Sequence, residues 1–210
     1  MNKLPVWASV AYAARCARRV QRMCERHFSE HAGHNKVIEL AIDTAEKYAS
    51  DPMTYFGSSV RANAAADPAD DAAQLASEVV EETTRAAAAV ARAAQMAAKS
   101  AAYGCAYSAF AALYEEARAS GDLRPNELES HSRRSLLGAR KCRETAASGA
   151  NSAYQAARLG SSNRGFFGTK VAPAFVEAAI HDFDRIRCAV KNGDVDPIEP
   201  AIPPQVFGRL

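Results

Sequence analysis

The chain has 210 residues, 48% of them apolar and 24% charged, with a formal net charge of +2 at pH 7. Those figures suit one domain of ordinary size and exclude a nucleic-acid binder driven by bulk positive charge as well as an acidic, disordered tail. Alanine supplies 47 residues against 37 for Leu, Ile, Val and Phe together. Ala is the best helix former and adds little bulk between helix axes, so the expectation is an all-α protein with closely approached helices.

In chain order, Pro5 at a first-turn position opens a helix. Its apolar set, Trp7, Val10, Ala14, Ala17, Val20, Cys24 and Phe28, recurs at three- and four-residue steps, and it ends near His31 to Gly33. Asn35 is the expected N-cap of a second helix with Ile38, Ala41, Ile42, Ala45 and Tyr48 on one face and Asp51-Pro52 as its stop. Residues 52 to 66 carry no clear signal. Asp67-Pro68 then reads as a helix start, a capping carboxylate followed by a proline at the first helical position. Continued without interruption to Gly121, that helix would span about 78 Å at 1.5 Å per residue, too long for a domain of this size. A break is therefore expected, either in the β-branched stretch Val79 to Thr84 or at Gly104.

Ser120-Gly121-Asp122 ends the region, and Pro125-Asn126 starts the next helix, with Asn126 and Glu129 at capping-box spacing. Gly149-Ala150-Asn151 is a candidate interruption of that helix, and Gly160 is its expected end, followed by a polar loop from Ser161 to Gly168. A last amphipathic helix carries Val176, Ala179, Ile180, Phe183, Ile186 and Val190 on its apolar face and stops at Gly193. Pro197, Pro200, Pro203 and Pro204 make the end extended. The expected organisation is a single bundle of five to seven helices over residues 1–193 and an extended Pro-rich tail over 194–210. Tyr103, Tyr107, Phe110 and Tyr114 fall at helical spacing and mark a central core helix.

Cys16, Cys24, Cys105, Cys142 and Cys188 are widely and irregularly spaced with no CxxC pair, a reduced, intracellular pattern. The apolar run Leu4 to Ala14 holds the leader-like Ala11-Tyr12-Ala13, but it is short, contains Pro5 and is followed directly by Arg15. Arg85, Arg92 and Lys99 interrupt the long Ala-rich region, so no run approaches the ~20 apolar residues of a membrane span. A soluble, cytoplasmic protein with no membrane contact is expected.

Arg15, Arg19, Arg22 and Arg26 lie at i, i+4, i+7 and i+11, so a helix gathers them into one guanidinium stripe with Arg18 beside it. A second basic group, Arg133, Arg134, Arg140, Lys141 and Arg143, lies further on. Residues 1–40 hold 7 cations and 3 anions, whereas 41–90 hold 3 and 9. The simplest reading is internal: the first helix pairs with Asp43, Glu46, Glu78, Glu81 and Glu82. The stripe also suits an acidic protein partner or a nucleic-acid backbone, although no helix-turn-helix or aromatic-basic RNA motif is present. Cys24, His27, His31 and His34 have donor types that zinc accepts, but histidines near a helix C-terminus are favoured by the helix dipole alone, and no metal site is assigned. Gly160 to Lys170 has glycines at phosphate-loop spacing but places Phe166 where the lysine belongs and a helix where a strand belongs, so no nucleotide is expected there. Phe166 and Phe167 either plug that loop onto the bundle or anchor a partner, with Arg164 beside them. His131 and His181 have acidic neighbours, Glu129 and Asp182 with Asp184, yet no motif places a nucleophile.

Ala14 to Met23 (Ala-Arg-Cys-Ala-Arg-Arg-Val-Gln-Arg-Met) and Val37 to Ala49 (Val-Ile-Glu-Leu-Ala-Ile-Asp-Thr-Ala-Glu-Lys-Tyr-Ala), followed by an Ala-rich helical array, resemble a family of bacterial immunity proteins. There a Cys-Ala-x-Arg-Val helix and an Ala-Ile-Glu-x-Ala helix precede Ala-rich helices. The likeness covers about residues 8–115; the family's Arg-Pro-Arg lead-in is replaced by His34-Asn35-Lys36, and nothing from Gly121 onward has a counterpart. The resemblance implies a small cytoplasmic protein that neutralises a toxin by binding it, and it transfers no catalytic residue. The resulting expectation is a non-enzymatic protein-binding protein without cofactor, metal or catalytic residues, meeting its partner through Arg15, Arg19, Arg22, Arg26, Arg164, Phe166 and Phe167. The alternative is a nucleic-acid-associated accessory protein using the Arg15 to Arg26 stripe.

Overall fold

The computed structural model of the chain describes residues 4–24, 32–51, 59–82, 85–121, 125–162 and 171–191. Among them the protein is an all-α bundle, 97% helical and without strands. The helices are α1 (Val6–Cys24), α2 (Ala32–Ser50), α3 (Ser59–Glu82), α4 (Arg85–Ser120), α5 (Pro125–Ser162) and α6 (Val171–Lys191). One hydrophobic cluster draws on all six, and most of its members are Ala. None of the described helices is long and apolar enough to cross a membrane.

Small side chains set the spacing of the bundle, and glycine sets it most tightly between α4 and α5. A Cβ on Gly138 would lie 3.1 Å from the backbone N and 3.2 Å from the Cα of Tyr107, and one on Gly149 would lie 3.1 Å from Cβ of Met96 and 3.5 Å from the carbonyl O of Ala93. Moving eleven residues along α5, from Gly138 to Gly149, moves the contact eleven residues back along α4, from Tyr107 to Met96, so the two helices run antiparallel in constant register. Eleven residues are about three turns, which puts both glycines on one side of α5. Interiors are packed densely enough for a single added carbon to be felt there.

α1 is enclosed over most of its surface. Val6 to Ala11, Ala13 to Ala17, Val20 and Gln21 are all buried. Its first turn is fixed by Ser9, whose N–H and hydroxyl both donate to the carbonyl of Pro5 at 3.1 Å. α5 tacks down the same end: Nε of Arg143 donates to the carbonyl of Leu4 at 2.9 Å and the thiol of Cys142 points at that of Val6 at 3.8 Å.

Several expected boundaries move. α2 begins at Ala32, so Asn35 lies inside its first turn instead of capping it; the cost of Gly33 in a helix, about 1 kcal/mol, is small against a whole buried face. Asp67-Pro68 is not a start: α3 begins at Ser59 and carries Pro68 inside it. Proline costs that helix one hydrogen bond, but Ala62 and Ala69 are buried on either side of it, and packing of the flanking turns carries the helix through. The region is described as α3 up to Glu82 and α4 from Arg85; Thr83 and Thr84, in the stretch where a break is expected, lie outside the described residues, whereas Gly104 stays within α4. Gly121 ends α4 with a φ of 69° and its N–H on the carbonyl of Ala117 at 3.2 Å, a left-handed stop that glycine adopts without strain. Glu129 does not reach back as a capping-box acid; it accepts from Arg133 one turn on, at 2.6 Å. Gly149 to Asn151 does not interrupt α5, which ends at Ser162, two residues past Gly160. The end of the first predicted helix beyond Cys24, the polar loop from Asn163 and the Pro-rich tail lie outside the described residues.

Gly104 has a different task. A Cβ there would sit 2.6 Å from Cζ of Tyr48 and 2.7 Å from its Cε1 and Oη. The tyrosine ring, 2% exposed, occupies the space that a side chain on Gly104 would need. Ser108 donates to the carbonyl of Gly104 at 3.0 Å and lies 3.4 Å from the Tyr48 hydroxyl. Gly104→Ala is therefore expected to lower the unfolding free energy by about 1–3 kcal/mol, the range for overpacking, despite Ala's better helix propensity. Urea denaturation checks it, and an unchanged or higher stability would contradict the assignment.

Candidate partner-binding surface

Arginines on α1 face two directions at once because residues three and four apart on a helix lie about 60° and 40° apart around its axis. Arg15 and Arg19 converge on Asp182 of α6. Nη2 of Arg15 is 2.8 Å from Oδ1 and Nε of Arg19 is 2.8 Å from Oδ2, so each carboxylate oxygen takes one guanidinium. Arg15 is 3% exposed and Asp182 1%. Arg18 turns to α2, where it holds Glu46 through Nε at 3.1 Å and Nη2 at 2.8 Å, donates to Gln21 at 2.9 Å and also pairs with Asp43. The stripe is thus turned inward at Arg15 and Arg19. Arg22 belongs to α1 with its side chain outside the described set, and Arg26, Arg164, Phe166 and Phe167 lie outside the described residues.

Internal pairing of α1 with Asp43 and Glu46 follows the charge asymmetry of the chain. Asp182 does not, and it decides how α6 lies. The apolar period of α6 names Val176, Ala179, Ile180, Phe183, Ile186 and Val190 as the inward face. In the structure the buried row is Phe175, Ala179, Asp182 and Ile186, while Val176 and Ile180 stand 37% and 57% exposed. Two charge-assisted hydrogen bonds at about 1.5–3 kcal/mol each match what burying two aliphatic side chains would contribute, and a rotation toward Val176 and Ile180 would in addition strand the buried charges. Phe183 still packs, its ring edge-on to Tyr12 at 5.5 Å. A carboxylate at helical spacing between Phe175, Ala179 and Ile186 is the signal that would have located this contact.

The titratable groups here are neutralised in pairs or held neutral. Burial disfavours the charge on Asp182, but the hydrogen bonds and charges of Arg19 and Arg15 outweigh it and hold its carboxyl below the ordinary carboxylate range. Half-burial opposes the charge on Arg18, and Glu46 and Asp43 outweigh that, raising its pKa. Burial pushes the Cys16 thiol up to about 12, and it raises the Tyr12 phenol as well, with Cys16 and Asp182 adding to the rise. No thiolate is offered at neutral pH by Cys16, nor by Cys105, whose thiol burial also pushes up to about 12. Neither histidine meets the acid that chain order suggests. Glu129 accepts from Arg133, Asp182 from Arg15 and Arg19, and Asp184 pairs with Arg187 at 3.1 Å, while the ring of His131 lies against Phe110 at 6.3 Å. Among the described residues no three His, Cys, Asp or Glu side chains gather into a metal cluster; His27 and His31 lie outside them.

The second basic group is displayed on α5. Arg133, Arg134, Leu136, Leu137, Arg140 and Lys141 all lie on its outward side, opposite the buried Ser135, Gly138, Ala139 and Cys142. Leu136 and Leu137 are 67% and 51% exposed. Their cations are spread and braced: Arg133 pairs with Glu129 at 2.6 Å, Arg140 with Glu144 at 2.7 Å, Arg134 lies over the ring of Phe110 and Lys141 over that of Tyr103, both at 5.5 Å.

Removing the acid from a buried ion pair leaves its guanidinium partners without their counter-charge. Asp182→Asn is expected to cost about 3–5 kcal/mol in urea denaturation at pH 7. The pH dependence has a fixed sign: Asp182 titrates lower in the folded state than in the unfolded one, so its contribution is complete above about pH 4 and fades as pH falls further. The stability gap between the natural chain and Asp182→Asn should close in that acid window, and a gap that persists there would contradict the pairing. Compared with known proteins, the chain matches no family model, no curated protein and no solved structure.

Proposed function

We propose that this is a non-enzymatic binding protein that recognises an acidic, partly apolar face of a protein partner through α5. One observation carries the reading: two consecutive leucines, Leu136 and Leu137, stand exposed among the four cations Arg133, Arg134, Arg140 and Lys141. Scattered apolar residues are normal on a surface, but adjacent leucines framed by braced cations supply both an anchor and a charge pattern that selects the partner. An immunity-like role, neutralising a toxin by holding it, is the specific form of this reading that the resemblance of residues 8–115 implies. A nucleic-acid role through the Arg15 to Arg26 stripe has less to draw on, because Asp182 engages Arg15 and Arg19.

The test uses the tagged full-length chain in its native cell. Capture should recover one protein in fixed proportion, more weakly as salt rises, and Leu137→Glu with Arg140→Glu should reduce its recovery at least about tenfold while leaving the thermal midpoint in place, since both sites are exposed. Recovery of the chain alone at physiological salt, or capture indifferent to the double substitution, would contradict the proposal.

A further inference from the structure

Two outward helix faces, one on α3 and one on α5, carry opposite charge in matching form. From Asp67 to Glu82 the chain has six anions and no cation; from Ser130 to Arg143 it has five cations and no anion. On α3, Asp67, Asp70, Asp71, Glu78 and Glu81 are exposed, opposite the buried Ala69, Ala72 and Ala76, and Leu75, 39% exposed, stands midway along the row. On α5 the exposed Leu136 and Leu137 stand midway along theirs, with Arg133 and Arg134 before them and Arg140 and Lys141 after. The rows are about 23 Å and 20 Å long at 1.5 Å per residue. Each therefore has an apolar centre flanked by charge of a single sign, and the lengths agree within one turn.

The arginines of α5 are braced without being saturated. Arg133 gives one N–H to Glu129 and Arg140 one to Glu144, each within a single exposed turn, and a guanidinium has five to give. Such exposed pairs contribute little and yield readily to a competing carboxylate. Glu129 and Glu144 themselves sit just outside the two ends of the basic row. The two faces cannot meet within one molecule: α3 and α5 each pack along α4 and barely touch one another, and both rows point outward. An α5 face laid on the α3 face of another molecule brings Leu136 and Leu137 to Leu75, with cations meeting acids on both sides of that centre.

We infer that the α5 face binds the α3 face of a second copy of this chain, head to tail, its cations against the acids of α3 around a core of three leucines. The inference rests on the reading of α5 as a binding face and adds an occupant that keeps that face covered until the dissimilar partner displaces it. Two helix faces of about 20 Å by 10 Å bury far less than the roughly 1,600 Å² of a stable complex, so the self-contact is weak, salt-sensitive and reversible.

Sedimentation equilibrium on the purified full chain tests it. At about 20 mM salt the weight-average mass should rise above the 22.5 kDa of one chain as concentration goes from about 10 µM to 1 mM, and at about 500 mM salt it should remain at that value. Arg140→Glu with Lys141→Glu, or Asp71→Lys with Glu78→Lys, should each weaken association at least about tenfold with the thermal midpoint retained, since all four sites are exposed. The four substitutions in one chain restore the net charge of +2 and should bring association back to within about threefold of the natural chain. In the natural chain a zero-length carbodiimide should join Lys141 of one copy to an acid of α3 in the next. Four results would each overturn the inference: a mass of one chain throughout the low-salt series, association indifferent to either pair of substitutions, no recovery in the chain carrying all four, or cross-links between copies that map elsewhere. A monomeric purified chain that still captures a dissimilar protein from its cell removes this inference alone, whereas self-association with no other protein captured removes the functional reading alone.

Discussion

Two helices that touch along their backbones set the terms for everything else in this protein. Gly138 and Gly149 of α5 bring α4 so near that a methyl group on either would meet Tyr107 or Met96 at 3.1 Å, closer than ordinary van der Waals contact, and the register they define extends over about three turns. Around that contact the remaining helices close with alanine, so the core is made of many small, shallow contacts instead of a few large side chains. Such a core gains little from any one residue and depends on helix axes staying close, because dispersion falls steeply once a gap opens. Large groups are then accommodated only where the backbone makes way, as Gly104 does for Tyr48.

A thin apolar core leaves electrostatic pairing room to decide orientation. Asp182 turns α6 about its axis until its carboxylate meets Arg15 and Arg19, and Val176 and Ile180 are left facing outward as a result. A buried ion pair is weak evidence for stability relative to a well-packed apolar substitute, but it discriminates strongly between orientations, since any other rotation of α6 strands a charge. The inward arginines and the outward leucines of α5 divide the labour: the first fix the bundle, the second are displayed on it.

Much of the architecture was legible in the chain. Ala content, helical spacing and Gly/Pro punctuation indicated the all-α bundle, the end of α4 at Gly121 and the start of α5, because those signals are local. What was missed depended on contacts between distant segments. Asp67-Pro68 resembles a helix start, yet packing on both sides carries α3 through it. Gly104 and Gly149 resemble breaks, and they are instead points of close approach. The face of α6 was misjudged because hydrophobic period was weighed without the charge in its midst. For the candidate surfaces, the arginine spacing on α1 was read as one row, and Arg15 and Arg19 of that row do share one carboxylate, but no local feature could reveal that it lies more than 160 residues away.

One face of α5 displays leucines among cations. That display presupposes that α4 and α5 stay in contact. The most direct measurement is the unfolding free energy, by urea denaturation, of the chain with Gly138→Ala and Gly149→Ala together. Helix propensity by itself would make that variant more stable by about 1 kcal/mol per site. Backbone contact between α4 and α5 predicts a clear loss of stability instead, and a gain would contradict the account.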